Sequence, residues 1–332
     1  MPNDEDVGID VADMEALSTA QQRRLDDLWR SFGDKGIAWL QEDDITDLTV
    51  GAGGVMLVGI GDRLIEAGYR LTQADVRKVI QNAAKLGRSD NEGGCVSVDL
   101  PTGERFESMG PPTVPEFMFS VRKPNREDLT LEQYRDRKQL SFSGYDTIRE
   151  ASENRLNFLV AGAAFSGKTT MLKAIVRQPC FVNERCFFIE QTPEVPRLDK
   201  RWIMTRTKPI GRYTATELVI KSLRHRVDRT FLGEMRGVET LDWLDTCNLG
   251  RSGGGGTVHA PTAQRALRRI DQLVTRATEA PQRDTIIETI DMIIVLRPHP
   301  DKAIGRTVSE ICRPVGYSDG RFQVESFPKF QP

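Results

Sequence analysis

Gly162-Ala163-Ala164-Phe165-Ser166-Gly167-Lys168-Thr169 sets glycine, lysine and threonine at the spacing of a phosphate-binding loop. The loop follows the apolar run LNFLVA and precedes TTMLKAIV, the strand-to-helix setting that such a loop needs. Its backbone N–H groups would face phosphate oxygens, and the positive end of the helix dipole would add attraction. Lys168 is expected to reach the β- and γ-phosphates, Thr169 to offer its hydroxyl to Mg2+, and Thr170 to complete the set around the phosphates. Such a loop needs a carboxylate on a neighbouring strand, to hold the metal or polarise water. Glu234 ends the apolar run Thr230-Phe231-Leu232-Gly233, and Glu190 ends Phe187-Phe188-Ile189, with Glu194 shortly after. A single glutamate after a strand is ordinarily a solvated surface residue; two beside one phosphate loop argue for chemistry. His259 closes the run Gly256-Thr257-Val258, where it could sense the γ-phosphate or serve only a local hydrogen bond.

These residues need a scaffold that brings strand ends together. Short apolar strands are expected at 157–161, 186–189, 230–232, 256–259 and 292–296, separated by helices. That alternation predicts a parallel sheet flanked by helices, which binds ligands at the carboxyl ends of its strands. Upstream, Leu25, Leu28 and Trp29 predict an amphipathic helix from about Ser18 to Gly33. Strands are expected at 46–50 and 55–58 around a glycine loop, then a helix opened by a Thr72/Asp75 capping box. A strand pair at 96–100 and 117–121 completes a small mixed α/β domain. The expected boundaries are a flexible tail at 1–13, an amino-terminal domain at 14–121, a charged linker at 122–145 and a phosphate-loop domain at 146–332.

At 332 residues, 39% hydrophobic and 28% charged, the composition is that of a water-soluble two-domain chain. No apolar run reaches the length of a membrane span, and the acidic start lacks the features of an export signal, so a cytoplasmic location is expected. A net charge of −2 gives no basic field, and no stable direct nucleic-acid binding is predicted. The cysteines, 5 in all, show no CxxC pairing and read as reduced, buried thiols.

Taken in order, the loop GAAFSGKTT, the acidic box IEQTPE, the segment LRHRVDRTFLGEMRG and the box TVHAPTAQRALRRI resemble the type II and type IV secretion traffic ATPases. The tail TIDMIIVLRPHPDKAIGRTVSEICRPVGY resembles that family's closing strands, and FSVRKPNREDLTLEQY resembles its interdomain junction. The likeness runs from about Phe117 onward. It implies a RecA-like P-loop NTPase domain with a parallel-rich sheet behind a smaller mixed α/β domain. It further implies ATP and Mg2+ as ligands, Lys168, Glu190, Glu234 and His259 as catalytic groups, and Thr169 and Glu234 as metal ligands. The residues from Gly162 to Thr170 would cradle the nucleotide, and Arg122 of the junction could contact it. Arg197, Arg206, Arg212, Arg224 or Arg236 could act across a subunit boundary.

The resemblance also implies a hexameric ring, peripheral at the cytoplasmic face of the inner membrane through conjugation or secretion channel proteins. The absence of a four-cysteine module and the short amino-terminal domain favour the conjugal transfer branch. A pilus assembly or retraction motor, and a weakly hydrolysing subunit clamped by nucleotide, are the alternatives. Departures from the family pattern are Ala164-Phe165-Ser166 at the loop centre, which sets a bulky ring close to the phosphates, and Gln191 in place of a second carboxylate. The run Gly253 to Gly256 is expected to loosen the approach to His259.

Overall fold

The computed structural model describes residues 19–42, 44–60, 63–87, 94–124, 128–208, 211–278 and 280–327. The expected tail at 1–13, and Asn125, Arg126 and Glu127 of the junction, lie outside the described residues. The chain divides into two compact units, Met1–Asn125 and Arg126–Pro332.

The first unit runs α1 (Thr19–Ser31), α2 (Gly33–Gln41), β1 (Ile45–Val50), β2 (Val55–Ile60), β3 (Arg63–Arg70), α3 (Gln73–Gly87), β4 (Ser97–Asp99), β5 (Arg105–Met109) and β6 (Met118–Arg122). Its strands form one antiparallel sheet in the order β3-β2-β1-β6-β5-β4. Leu28 of α1 and Val76, Val79, Ile80 and Ala83 of α3 bury their apolar stripes against Leu48, Val50, Phe106, Phe119 and Val121 of the sheet. The expected capping box opens α3: the Thr72 N–H donates to Asp75 Oδ2 at 3.3 Å, and the Asp75 N–H donates to Thr72 Oγ1 at 3.2 Å. β3 and β5 lie beyond the strands read from sequence. β3 is largely exposed, so no apolar alternation marks it, and buried Ser108 interrupts the pattern in β5.

The second unit runs α4 (Leu131–Asp136), α5 (Phe142–Glu153), β7 (Phe158–Gly162), α6 (Lys168–Val176), β8 (Cys186–Glu190), β9 (Ile203–Arg206), α7 (Ala215–Arg224), β10 (Arg229–Leu232), α8 (Glu239–Asn248), β11 (Gly255–His259), α9 (Ala263–Val274), α10 (Arg283–Thr289), β12 (Met292–Pro298), β13 (Arg306–Ser318) and β14 (Arg321–Ser326). Its sheet has the order β14-β13-β12-β7-β11-β10-β8-β9, parallel from β12 to β9 and closed by the antiparallel β13 and β14. β7, β8 and β10 are buried along their whole length, with core on both faces, which is why they read as unbroken apolar runs rather than alternating ones.

Two sequence expectations need correction. The charged stretch at 122–145 is not a linker throughout: Leu129, Leu131, Tyr134 and Leu140 are buried in the same core cluster as Met171, Leu172 and Ile175 of α6. A capping box of Thr130 with Gln133 opens α4, and Asp128 pairs with Arg177. Four leucine and tyrosine side chains buried among so many charges outweigh composition in deciding where this segment packs. The glycine run is not loose either. Gly253 to Gly256 are buried; a Cβ on Gly254 would stand 2.3 Å from the Thr230 carbonyl oxygen, and one on Gly255 would stand 2.7 Å from the Phe158 ring. These glycines let β11 slide between β7 and β10 at close backbone range.

Candidate functional site

Strand register decides which residues meet. β7 and β11 pair in parallel with His259 opposite Gly162, and β10 pairs with β8 with Leu232 opposite Ile189. The loop after β7, the residues after β10 and β8, and His259 therefore share one sheet edge. Backbone bonds pin that edge: the Ala260 N–H donates to the Gly162 carbonyl at 3.2 Å, Gly233 N–H to the Ile189 carbonyl at 2.9 Å, and Met235 N–H to the Thr257 carbonyl at 2.9 Å.

The loop closes tightly on itself. A Cβ on Gly162 would lie 2.2 Å from Ser166 Oγ, and Gly167 enters α6 with φ +86° and no side-chain cap, leaving the helix N-terminus open to an anion. Phe165 takes φ +61°, the left-handed region glycine adopts freely, and the residue is 52% exposed, so about half of it is open to solvent. Ser166 Oγ is buried without a hydrogen-bond partner among the described residues. An orphaned hydroxyl in a glycine-lined cradle at a helix N-terminus fits a phosphate chain.

Lys168 is buried, and its Nζ donates to the Ala163 carbonyl oxygen at 2.8 Å and lies 3.3 Å from His259 Nδ1. Burial pulls its pKa down to about 8, while Glu234 and Glu194 pull it back up. An ammonium has no lone pair to share, so beside charged Lys168 the imidazole Nδ1 accepts. The ring proton then sits on Nε2, which lies 3.4 Å from Glu234 Oε1. Burial and the Lys168 charge lower the His259 pKa, which keeps the ring neutral near pH 7. Burial raises Glu234, but the hydrogen bond and charge of Arg236, with His259 and Lys168, outweigh it and hold the carboxylate below its ordinary range. Lys168, His259 and Glu234 thus form one continuous polar chain.

Glu190, expected as the catalytic carboxylate of the acidic box, stands at the end of β8. It is buried, and its Oε1 accepts from the backbone N–H groups of Glu194 at 3.0 Å and Val195 at 3.2 Å. Burial lifts its pKa to about 7 despite those two bonds. The carboxylate of this turn whose charge reaches Lys168 is Glu194. Glu190 braces the turn while the Glu194 charge is felt at Lys168, a difference that two glutamates 4 positions apart in one acidic box do not reveal.

Arg122 belongs to the first unit, where its Nε lies 3.3 Å from Asp47 Oδ1. Among the five arginines considered for action across a boundary, Arg236 is bonded within its own chain to Glu234 and Gln191, and Arg197 donates to the Lys200 carbonyl. Two residues beside the loop had no sequence signal. A Cβ on Gly167 would lie 3.7 Å from both Cδ and Nη1 of Arg306 and 4.0 Å from the Tyr134 hydroxyl. They come from the start of β13 and from α4, and no local motif connects either with the loop.

Among the described residues, no group of three or more His, Cys, Asp or Glu side chains is arranged to hold a metal ion. Thr169 and Glu234 would fit Mg2+ only with phosphate oxygens completing the shell, the ordinary way this ion is bound at nucleotide sites.

Residues 98–323 match the family described as type II/IV secretion system protein. The probable conjugal transfer protein TrbB of Sinorhizobium fredii is 29% identical, with 90% of this chain and 92% of that protein covered. The type IV secretion system protein VirB11 of Bartonella quintana is 28% identical, with 66% of this chain and 74% of that protein covered. Among solved structures, the Legionella pneumophila ATPase DotB superposes with a TM-score of 0.59 at 18% identity, covering 81% of this chain and 76% of that one. That last likeness concerns the fold. Among the described residues, no helix is long and apolar enough to cross a membrane.

Proposed function

The chain belongs to the type II/IV secretion system protein family, and from that premise we propose that it is a Mg2+-dependent ATPase, a motor subunit of a conjugal transfer or type IV secretion apparatus. The observation that carries the reading is the unbroken contact from Ala163 through Lys168 and His259 to Glu234 along one edge of a parallel sheet. The loop N–H groups and the open end of α6 bind the triphosphate, and Lys168 moves from the Ala163 carbonyl to its β- and γ-oxygens. Bound Mg2+ supplies charge neutralisation there, with Thr169 and Glu234 as its protein partners. Glu194, aimed by the Glu190-anchored turn, is the carboxylate assigned to the attacking water. Because His259 contacts both Lys168 and Glu234, a lysine drawn toward phosphate releases the imidazole, and nucleotide state becomes side-chain motion at the end of β11.

The reading extends to a hexameric ring, as the family resemblance implies, bound at the cytoplasmic face of the inner membrane through channel proteins. Lys168→Ala is expected to lower phosphate release at least about 100-fold, as removal of a charge placed on the transferring phosphoryl group does. Undiminished release would sink the ATPase assignment. Electron micrographs with a non-hydrolysable ATP analogue should show closed rings; a persistent monomer would count against the motor.

A further inference from the structure

Arg236 uses its two terminal nitrogens in different directions. Nη1 donates to Gln191 Oε1 at 2.7 Å, and Nη2 donates to Glu234 Oε2 at 2.7 Å. Gln191 follows β8 and Glu234 follows β10, neighbouring parallel strands in register at Ile189 and Leu232. The guanidinium therefore staples two strand ends together across the functional edge. Its own main chain is anchored as well: Glu239 Oε1, in the first turn of α8, accepts from the N–H groups of Arg236 and Gly237, each at 2.8 Å. With Oε2 taken by a planar donor, Glu234 presents its other oxygen, Oε1, toward His259 at 3.4 Å.

We propose that Arg236 is a positioning residue that fixes the rotamer of the Glu234 carboxylate, and that the neutral amide of Gln191 is its anchor. The amide accepts a hydrogen bond without drawing away charge, so the guanidinium's charge stays on Glu234. A carboxylate at 191 would compete for the cation and loosen Glu234; an alanine there would leave the arginine held at one end only. This inference rests on Glu234 working at the nucleotide site. It also removes Arg236 from the set able to reach across a subunit boundary, because both terminal nitrogens are engaged at home.

The test combines steady-state ATP hydrolysis with calorimetric binding of ATP to catalytically slowed Glu234→Gln and to Arg236→Ala, Arg236→Lys, Gln191→Ala, Gln191→Glu and the Arg236→Ala/Gln191→Ala pair. Arg236 is 54% exposed in its side chain and Gln191 is exposed, so these variants keep the fold. Arg236→Ala should lower kcat about 10- to 100-fold with KM and ATP affinity changed less than about 2-fold, the split expected when geometry rather than binding is lost. Arg236→Lys should recover little, since one ammonium cannot span both acceptors. Gln191→Glu should fall further than Gln191→Ala. In the Arg236→Ala background, Gln191→Ala should add nothing, because its whole effect passes through the arginine. A kcat at or above the unsubstituted level in Arg236→Ala would overturn the proposal, as would a full additional loss in the double variant. Undiminished hydrolysis in Glu234→Gln would instead overturn the functional reading of the site, and this proposal with it.

Discussion

At Glu190 the protein keeps a carboxyl group where water cannot reach it. In the folded chain it holds its proton up to about pH 7, against an ordinary 4.5, because burial penalises the charge. The folded state thus binds more protons than the unfolded chain between those values, so its contribution to stability is complete below the lower one and lost as pH rises through the upper one. Glu190→Gln keeps an oxygen for the N–H groups of Glu194 and Val195 and removes the ionisation. Urea unfolding should find this variant more stable than the parent by on the order of 2–3 kcal/mol at pH 8, with the gap closing toward pH 5. ATP hydrolysis should persist in it and fall in Glu194→Gln. An equal gap at both pH values would mean that ionisation of Glu190 contributes nothing to the difference.

Among the elements, β11 is the one whose composition matters most to the site. It must pass between β7 and β10 and still deliver His259 beside the loop, and the glycines before it make that approach possible. Gly254→Ala would press a methyl group against the Thr230 carbonyl, a backbone atom of the strand that carries Glu234. The expected loss is about 1–3 kcal/mol of stability by denaturant titration, the range for overpacking a close contact. Hydrolysis should fall with it, since a displaced β10 moves Glu234; unchanged activity and stability together would show that β10 yields without consequence.

The molecule as a whole contains separate cores, one in the first unit and two, one on each face of the sheet, in the second. Calorimetry should resolve more than one unfolding step, and nucleotide should raise the step belonging to the unit of residues 126–332. At 100 times Kd the gain is about 2.7 kcal/mol, or roughly 5–10 °C for a unit of this size. Lys168→Ala should abolish the shift. A single step displaced uniformly by nucleotide would mean that the units unfold as one.

The phosphate loop, the strand carrying Glu234 and the placement of His259 were legible in the chain itself, because each is a local pattern: a buried parallel strand is an unbroken apolar run, and its carboxyl end announces what it delivers. Local pattern stops at pairing. Nothing in IEQTPE distinguishes Glu190 from Glu194; the turn that buries the first and leaves the second only partly covered exists only once β8 is packed. Nor does any spacing join Gln191 to Arg236, or Arg306 to Gly167, since those meetings depend on strand order and register across the sheet. The chain alone specified which chemistry is present, through residue types held within one strand-loop-helix segment; the tertiary structure chose which polar groups face each other, because burial and register act between segments distant in sequence.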